Sequence, residues 1–389
     1  MPSDSRVTRA AAPGADQATL DRASFVPLHA QLANQLERRI LSGAWTPGAA
    51  MPSESALCAQ YRISRITVRR ALNDLENEGL VERVRGRGTF VAQTATRRGH
   101  AIGMVFGGLS EATFGHRNAA AFGDLVQGAA EAASNRQVLI HPLPVDNENL
   151  RAGLETPVIT RLTGLLVHLT RRIDEGVLAT LESLQLPYVV VKRRLPPGTA
   201  SCVFLDDRAG AEAATEHLLS LGHKRIGLIL GPDAIGVWED RLAGYEAAHR
   251  KAGVRTDPRL IRHTDYPMDE AGRQVAAELL GSGAPPTAIF AGNDYIAWGV
   301  YLAARAAGRE PGQDLAVVGY GANTFTTTMH PALTTVGTSG RTLGSTAAEL
   351  LLDLIDGRQA GPVQQEIPWQ LLIRDSSTAH STTSTDVSA

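Results

Sequence analysis

The chain has 389 residues, of which 43% are hydrophobic and 20% charged, with a formal net charge of −2. This composition excludes an intrinsically disordered chain, the length suits about two to three domains, and no run approaches the ~18 consecutive apolar residues of a transmembrane helix. The charge is uneven: residues 25–98 hold 11 Arg against six acids, whereas residues 99–389 hold 24 basic and 31 acidic residues. A polyanionic partner is therefore expected for the first part alone.

Residues 1–24 are polar and Ala-rich, without period and without the apolar core of a secretory signal peptide, so an unstructured leader and a cytoplasmic location are expected. Residues 25–92 read as one small module. Leu28, Leu32, Leu36 and Ile40 recur every four residues and lay one apolar stripe on a first helix. Gly43 and the Pro47-Gly48 pair end it. Ser53 is placed to cap a second helix, and Ser64 a third on which Val68, Leu72 and Leu75 face inward until Gly79. Two short strands at 80–84 and 89–91 enclose Arg85-Gly86-Arg87-Gly88. The sum is three helices and a hairpin wing. The third helix carries Arg65, Thr67, Arg69 and Arg70, with no acid between Ser55 and Asn73. The first turn of such a helix fits the major groove, where Arg forks onto guanine and Thr bonds a phosphate or a base edge. Glycines at the wing tip let backbone approach DNA closely, with Arg85 and Arg87 toward phosphates or the minor groove.

Residues 93–100 read as a linker. From 101 onward, apolar runs at 101–106, 137–141, 164–169, 188–192, 202–205, 225–230, 287–291 and 315–320 alternate with helical patterns at 208–221, 241–252, 295–307 and 343–355. Continuous apolar strands between helices imply parallel sheets covered on both faces. The span 101–375 is too long for one small sheet, so two doubly wound lobes with a cleft between them are expected. Residues 376–389, with nine Ser or Thr in fourteen, read as a disordered tail. Cys58 and Cys202 lie in apolar segments and read as reduced thiols, so neither a disulfide nor a metal site is expected, and no cofactor is called for. The chain contains no Gly-x-Ser-x-Gly elbow, phosphate-binding loop or His-Glu-x-x-His pattern, and no convincing Schiff-base Lys among Lys192, Lys224 and Lys251, which argues against an enzyme.

The segments SRITVRRAL and EGLVERVRGRGTFV, within 27–91, resemble the winged helix of the gluconate-repressor (GntR) family. The resemblance implies DNA contacts from Ser64, Arg65, Thr67 and Arg69 on the recognition helix, and from Arg85, Gly86 and Arg87 on the wing. It also brings in Glu54 and Ser55 at the second helix, Ser55 standing where some relatives carry a basic residue. The body does not look like the usual partner domains of that family. HLLSLGHKRIGLILG, RLAGYEAA, PTAIFAGNDYIAWGV, DLAVVGYGAN and PALTTVGTSGRTLGSTAAELLLDLIDG are similar, in order and spacing, to the periplasmic-binding-protein-like effector domain of the lactose/galactose-repressor (LacI/GalR) family. The combination resembles arabinose-repressor-type regulators.

The resemblance thus implies a winged helix-turn-helix followed by a two-lobed α/β domain, in a homodimer that binds double-stranded operator DNA and a small sugar-like effector, without membrane attachment. The implied function is repression of a carbohydrate-utilisation operon, relieved by that effector; activation, or sensing of a non-sugar or phosphorylated metabolite, stays open. The resemblance makes Arg241, at the start of its helix, and Asp294 the sugar-contacting pair, a fork of donors and a set of acceptors. Trp238 either stacks on a sugar face or packs in the core, and Phe114 either overhangs the cleft or is core. Lys192, followed by Arg193, stands where relatives often have an Asp-Arg pair. Gly321-Ala322-Asn323 replaces two common acidic residues, leaving Asn323 as the substitute acceptor. Helices near 122–133 and 343–355 are candidates for the pairing surface of the lobes.

Overall fold

In the computed structural model the described residues run from 20 to 377, apart from 23, 25, 42–43, 85, 93–100, 108–116, 147–148, 233–235 and 266–267. They fall into two units that divide between Thr96 and Arg97, inside the segment expected to be a linker.

The first unit holds α1 (Leu28–Leu41), α2 (Glu54–Tyr61), α3 (Arg65–Asn77) and the antiparallel pair β1 (Val81–Val84) and β2 (Gly88–Val91). Leu32, Leu36 and Ile40 bury the stripe of α1 against Leu57, Val68, Leu72, Leu75 and Val91. Leu28, at its outer end, is half-buried. Ser53 and Ser64 cap α2 and α3, accepting from the N–H groups of Ala56 and Thr67, as Ser at an N-cap does. The leader is tied down earlier than expected. Asp21 and Gln31 exchange two hydrogen bonds of 2.9 and 2.8 Å, and Leu20 packs on the core. A buried Gln needs partners for its amide, and the backbone of the leader supplies them.

The second unit starts with β3 (Ala101–Gly107), α4 (Arg117–Ser134), β4 (Leu139–Val145), α5 (Leu150–Leu154), β5 (Leu162–His168), α6 (Glu175–Glu182), β6 (Tyr188–Val191) and β7 (Ser201–Phe204), the first lobe. The chain then crosses to a second lobe with α7 (Asp207–Ser220), β8 (Ile226–Leu230), α8 (Val237–Lys251), β9 (Ile261–His263), α9 (Asp269–Leu280), β10 (Ala288–Ala291), α10 (Asp294–Ala306), β11 (Ala316–Tyr320) and β12 (Thr334–Gly337). It returns to the first lobe for α11 (Gly340–Ile355) and β13 (Gln364–Glu366), and crosses once more for β14 (Gln370–Leu372). The sheet orders are β13-β7-β6-β5-β3-β4 and β14-β12-β11-β10-β8-β9. Every pairing is parallel except β12 with β14. Three connections thus join the lobes, at 205–206, 338–339 and 367–369. In the last, Trp369 packs against the cores of both lobes.

Four differences from the sequence expectations have clear causes. The second strand runs to Val145 through Pro142 and Pro144, which an edge strand tolerates because a missing N–H there breaks no ladder. Helix α8 begins at Val237, so Arg241 lies one turn inside it instead of opening it. Glu239 and Asp240 occupy the first turn, where carboxylates suit the helix dipole. The expected tail does not start at 376: Ser376 and Ser377 are fully buried. Ser376 Oγ donates to the Val317 carbonyl at 2.6 Å and accepts from Thr334 N–H at 2.8 Å, and Ser377 Oγ donates to Thr334 Oγ1 at 2.6 Å. Lastly, α4 and α11 pack on each other. A Cβ on Gly128 would lie 1.9 Å from the Arg341 carbonyl oxygen, and one on Gly344 2.0 Å from that of Leu125. Glycine at these two positions lets the helix backbones touch, and Leu125, Leu343, Ala347 and Leu351 are core residues of the first lobe.

Candidate DNA-binding face and ligand cleft

Helix α3 exposes Arg65, Ile66, Arg69 and Arg70, while Val68, Ala71, Leu72 and Leu75 anchor its other side. Glu54, the first residue of α2, accepts from Arg65 Nε at 2.8 Å and from Arg69 Nε at 3.1 Å. The hydrogen bond from Arg65 is the main cause holding the Glu54 carboxyl below its usual range. Both arginines are held at Nε, and the two side chains are 64% and 57% exposed. The Ser64 hydroxyl is engaged in the cap and lies 2.8 Å from Thr67 Oγ1. In the wing, Arg87 N–H closes the turn onto the Val84 carbonyl at 2.9 Å, with Gly86 at φ 76. Arg87 is exposed, its guanidinium 6.0 Å from the Phe90 ring centre. Arg85 lies outside the described residues. Ile66 was missed by the sequence reading. It is 81% exposed, and a β-branched apolar residue between Arg and Thr looks like helix filler until its face is known.

In the second unit, polar groups gather at the carboxyl ends of strands, where doubly wound sheets bind ligands. Arg241 donates from Nε and Nη2 to Asp207 Oδ1 at 2.9 and 2.6 Å and from Nη1 to the Gly292 carbonyl. Its guanidinium lies 3.8 Å from the Tyr320 ring centre and 5.0 Å from that of Trp238. Asp207 was not anticipated. It sits at the start of α7, capped by Asp206, and nothing in its local sequence distinguishes it from a helix-start acid.

Asp294 is placed otherwise than expected. It is fully buried. Its Oδ2 accepts from Asn323 N–H at 2.9 Å and Asn323 Nδ2 at 2.8 Å, and its Oδ1 accepts from Thr335 Oγ1 at 2.6 Å. Burial pushes its pKa up against these hydrogen bonds. Its oxygens hold the loop after β11 and leave no surface for a ligand. Asn323 is correspondingly the donor to Asp294, with only its amide oxygen left as an acceptor. Trp238 resolves to the core alternative, 5% exposed within the second-lobe core. Phe114 lies outside the described residues.

Lys192 follows β6 with φ 62, and Arg193 donates to the carbonyls of Lys192 and Leu169 at 2.7 and 3.2 Å. Burial, with Arg241 and Arg193 nearby, brings Lys192 down to about 8, and burial brings Arg193 down to about 10. His168, at the end of β5, is pushed well below its usual value by burial and then by Lys192 and Arg193. Lys192 and Arg193 thus stand just past the carboxyl end of β6, the end of the sheet at which doubly wound folds bind ligands. Two pairs bridge the lobes nearby: Arg172 with Glu239, and Thr324 with Asp124. Among the described residues no cluster of His, Cys, Asp or Glu is placed to hold a metal ion, and no helix is long and apolar enough to cross a membrane. Cys58 and Cys202 are free thiols.

Residues 28–91 match the bacterial regulatory proteins of the gntR family, and residues 215–377 match the periplasmic binding protein-like domain. The chain is 30% identical over 368 residues to the arabinose metabolism transcriptional repressor of Geobacillus stearothermophilus, covering 90% of this chain and 98% of that one. It is 33% identical over 258 residues to the transcriptional regulator GalR of Escherichia coli, covering 66% and 73% respectively. Among solved structures, a LacI-type transcriptional regulator from Bacillus cereus aligns with TM-score 0.65 and 27% identity over 73% of this chain and all of that one. With a gntR-type winged helix ahead of a two-lobed effector domain along nearly the full length of such a repressor, the chain belongs to the family of arabinose-repressor-type transcriptional regulators.

Proposed function

We propose that this protein is a repressor of a carbohydrate-utilisation operon that leaves its operator when a small sugar-like effector fills the cleft. The observation that carries the DNA half is the grip of one carboxylate, Glu54, on the Nε atoms of Arg65 and Arg69. It presets two forks for guanine O6 and N7 in the major groove. Arg85, Gly86 and Arg87 of the wing approach the backbone or minor groove, and Ser64 and Thr67 contact DNA from the start of α3. Ile66 adds an apolar surface suited to a thymine methyl.

The sensing half rests on Arg241. Its guanidinium is fixed by Asp207 and stacked on Tyr320, with donors left over for a ligand. Lys192 and the Asn323 amide oxygen complete the polar lining, while Asp294 positions the loop that carries Asn323. The protein acts in the cytoplasm on the nucleoid as a homodimer, since two half-sites need two winged helices. Ligand binding changes the balance between open and closed lobes, alters the spacing of the DNA-binding modules, and weakens operator binding by a coupling of about 5–150-fold.

The test is fluorescence anisotropy on a duplex selected by the protein from a random pool, followed by titration with pentoses and hexoses and their derivatives. Release by one compound, abolished in Arg241→Ala, supports the reading. Tighter DNA binding with ligand would make the effector a co-repressor, and a DNA affinity indifferent to every compound would remove the sensing half.

A further inference from the structure

The first-lobe wall of the cleft carries more positive charge than its own partners neutralise. Among the described residues, nothing bonds or pairs with the Lys192 ammonium. Arg193 is held only by neutral carbonyls, and its Nε is buried without a partner. Asp207 is committed to Arg241, and Asp294 to Asn323 and Thr335. Two neighbouring cations are thus partly buried with no carboxylate in hydrogen-bond or ion-pair contact; Asp207 and Asp294 favour the charge on Lys192, and Asp207 and Asp240 that on Arg193, without offsetting the burial that lowers both, which is unfavourable unless something else supplies a contact.

The backbone points to the same place. Among the described residues, five other than glycine have positive φ. Arg62, Gln137 and Gln185 close helices, a common use of that conformation. Lys192 and Ala322 instead follow strands β6 and β11, at the carboxyl ends of the two sheets, and strain at such positions marks sites under functional constraint. Donor chemistry narrows the ligand. Lys192 and Arg193 of the first lobe can only give hydrogen bonds, so a group that only accepts suits them, while the Asn323 amide oxygen is the acceptor left in the second lobe.

We propose that the effector carries an anionic group, a carboxylate or a phosphate, seated on Lys192 with Arg193 beside it. This rests on the reading of the cleft as the effector site. The ligand is then a sugar acid or a sugar phosphate instead of a neutral sugar.

Thermal shift and calorimetry on the full chain test it, with inorganic phosphate, D-galacturonate and D-ribose 5-phosphate set against D-galactose, D-ribose and L-arabinose. An anionic probe is expected to stabilise saturably, more tightly than its neutral counterpart by about 10- to 100-fold. Galacturonate alone would identify the carboxylate source; ribose 5-phosphate with inorganic phosphate would identify the phosphate source. The response should vanish in Lys192→Met and persist in part in Lys192→Arg. Lys192→Gly suits φ 62, so it should raise the Tm of the free protein while removing the anion response, which separates lost charge from lost folding. A neutral sugar bound equally well by wild type, Lys192→Met and Lys192→Gly would overturn the anionic ligand and leave the sugar sensor standing. Absence of a saturable response to every anionic probe also overturns it, and absence of response to the neutral sugars as well takes the sensor reading down with it.

Discussion

A carboxylate on a surface built for phosphates needs a reason, and Glu54 has one in the two arginines it orients. Glu54→Ala removes a negative charge, so non-specific DNA binding should strengthen. It also frees Arg65 and Arg69, so specific binding should weaken; the measured ratio of specific to non-specific affinity should fall by about tenfold. Ile66 makes a narrower prediction. Replacing thymine by uracil at one position of each half-site removes two methyls and should weaken the wild-type dimer by about 15-fold, about fourfold for each buried methyl, and should leave Ile66→Ser unaffected. At Lys192 the sign of the pH effect follows from its pKa of about 8 against an ordinary 10.5. Below 8 the lysine is charged in both folded and unfolded chains, and the burial penalty is complete. From 8 to 10.5 the unfolded chain binds more protons, so stability rises with pH. The advantage of Lys192→Met over wild type in denaturant melts should therefore shrink across that window. His168, pushed well below its usual value by burial, titrates below it, and Arg193, at about 10, enters only at its top and equally in both proteins. The cations at this site were legible as residue types. That Asp294 would be sealed by Thr335, 41 positions away, was not, because nothing local in a sequence records which acids the fold buries.

At the scale of elements, periodicity was informative where an element has one buried face. The α1 stripe, the Ser53 and Ser64 caps and the eight apolar strand runs all correspond to elements of the fold. What escaped were β9, β13 and β14, three residues each and partly exposed, and β12, four buried residues; each exists because a neighbouring strand offers an edge, and propensity does not encode that. The contact between α4 and α11 was also hidden, since Gly128 and Gly344 lie inside helical patterns and nothing local shows that two backbones meet there. Gly344→Val should force the helices apart, lowering stability by at least about 1–3 kcal/mol as overpacking does; a thermal melt unchanged from wild type would contradict the packing. Ser377→Ala should also lower the Tm, because it removes the hydrogen bonds of Ser377 Oγ to buried Thr334 and to His217 Nε2, at about 0.5–1.5 kcal/mol for each bond.

At the scale of the molecule, the proposed release from DNA requires two lobes that change their separation. The Arg172–Glu239 pair joins them from exposed positions, 56% and 62% accessible. Arg172→Ala should reduce effector affinity by about threefold or less, the range of exposed pairs, with the difference disappearing at high salt; the charge swap Arg172→Glu with Glu239→Arg should restore it. Operator release should weaken in parallel, because a ligand shifts an equilibrium only by its differential affinity for the two states. The three crossings between lobes have a consequence of another kind. Neither lobe is a continuous stretch of chain: the first takes its last helix and edge strand from residues 340–366, and the second takes its edge strand from residues 370–372. During synthesis, therefore, the first lobe cannot complete its sheet until nearly the whole second lobe has been made. A ribosome that stalls before residue 340 leaves both halves with an open edge, so the body is expected to mature as one cooperative block late in translation, while the winged helix ahead of it has long been free to fold.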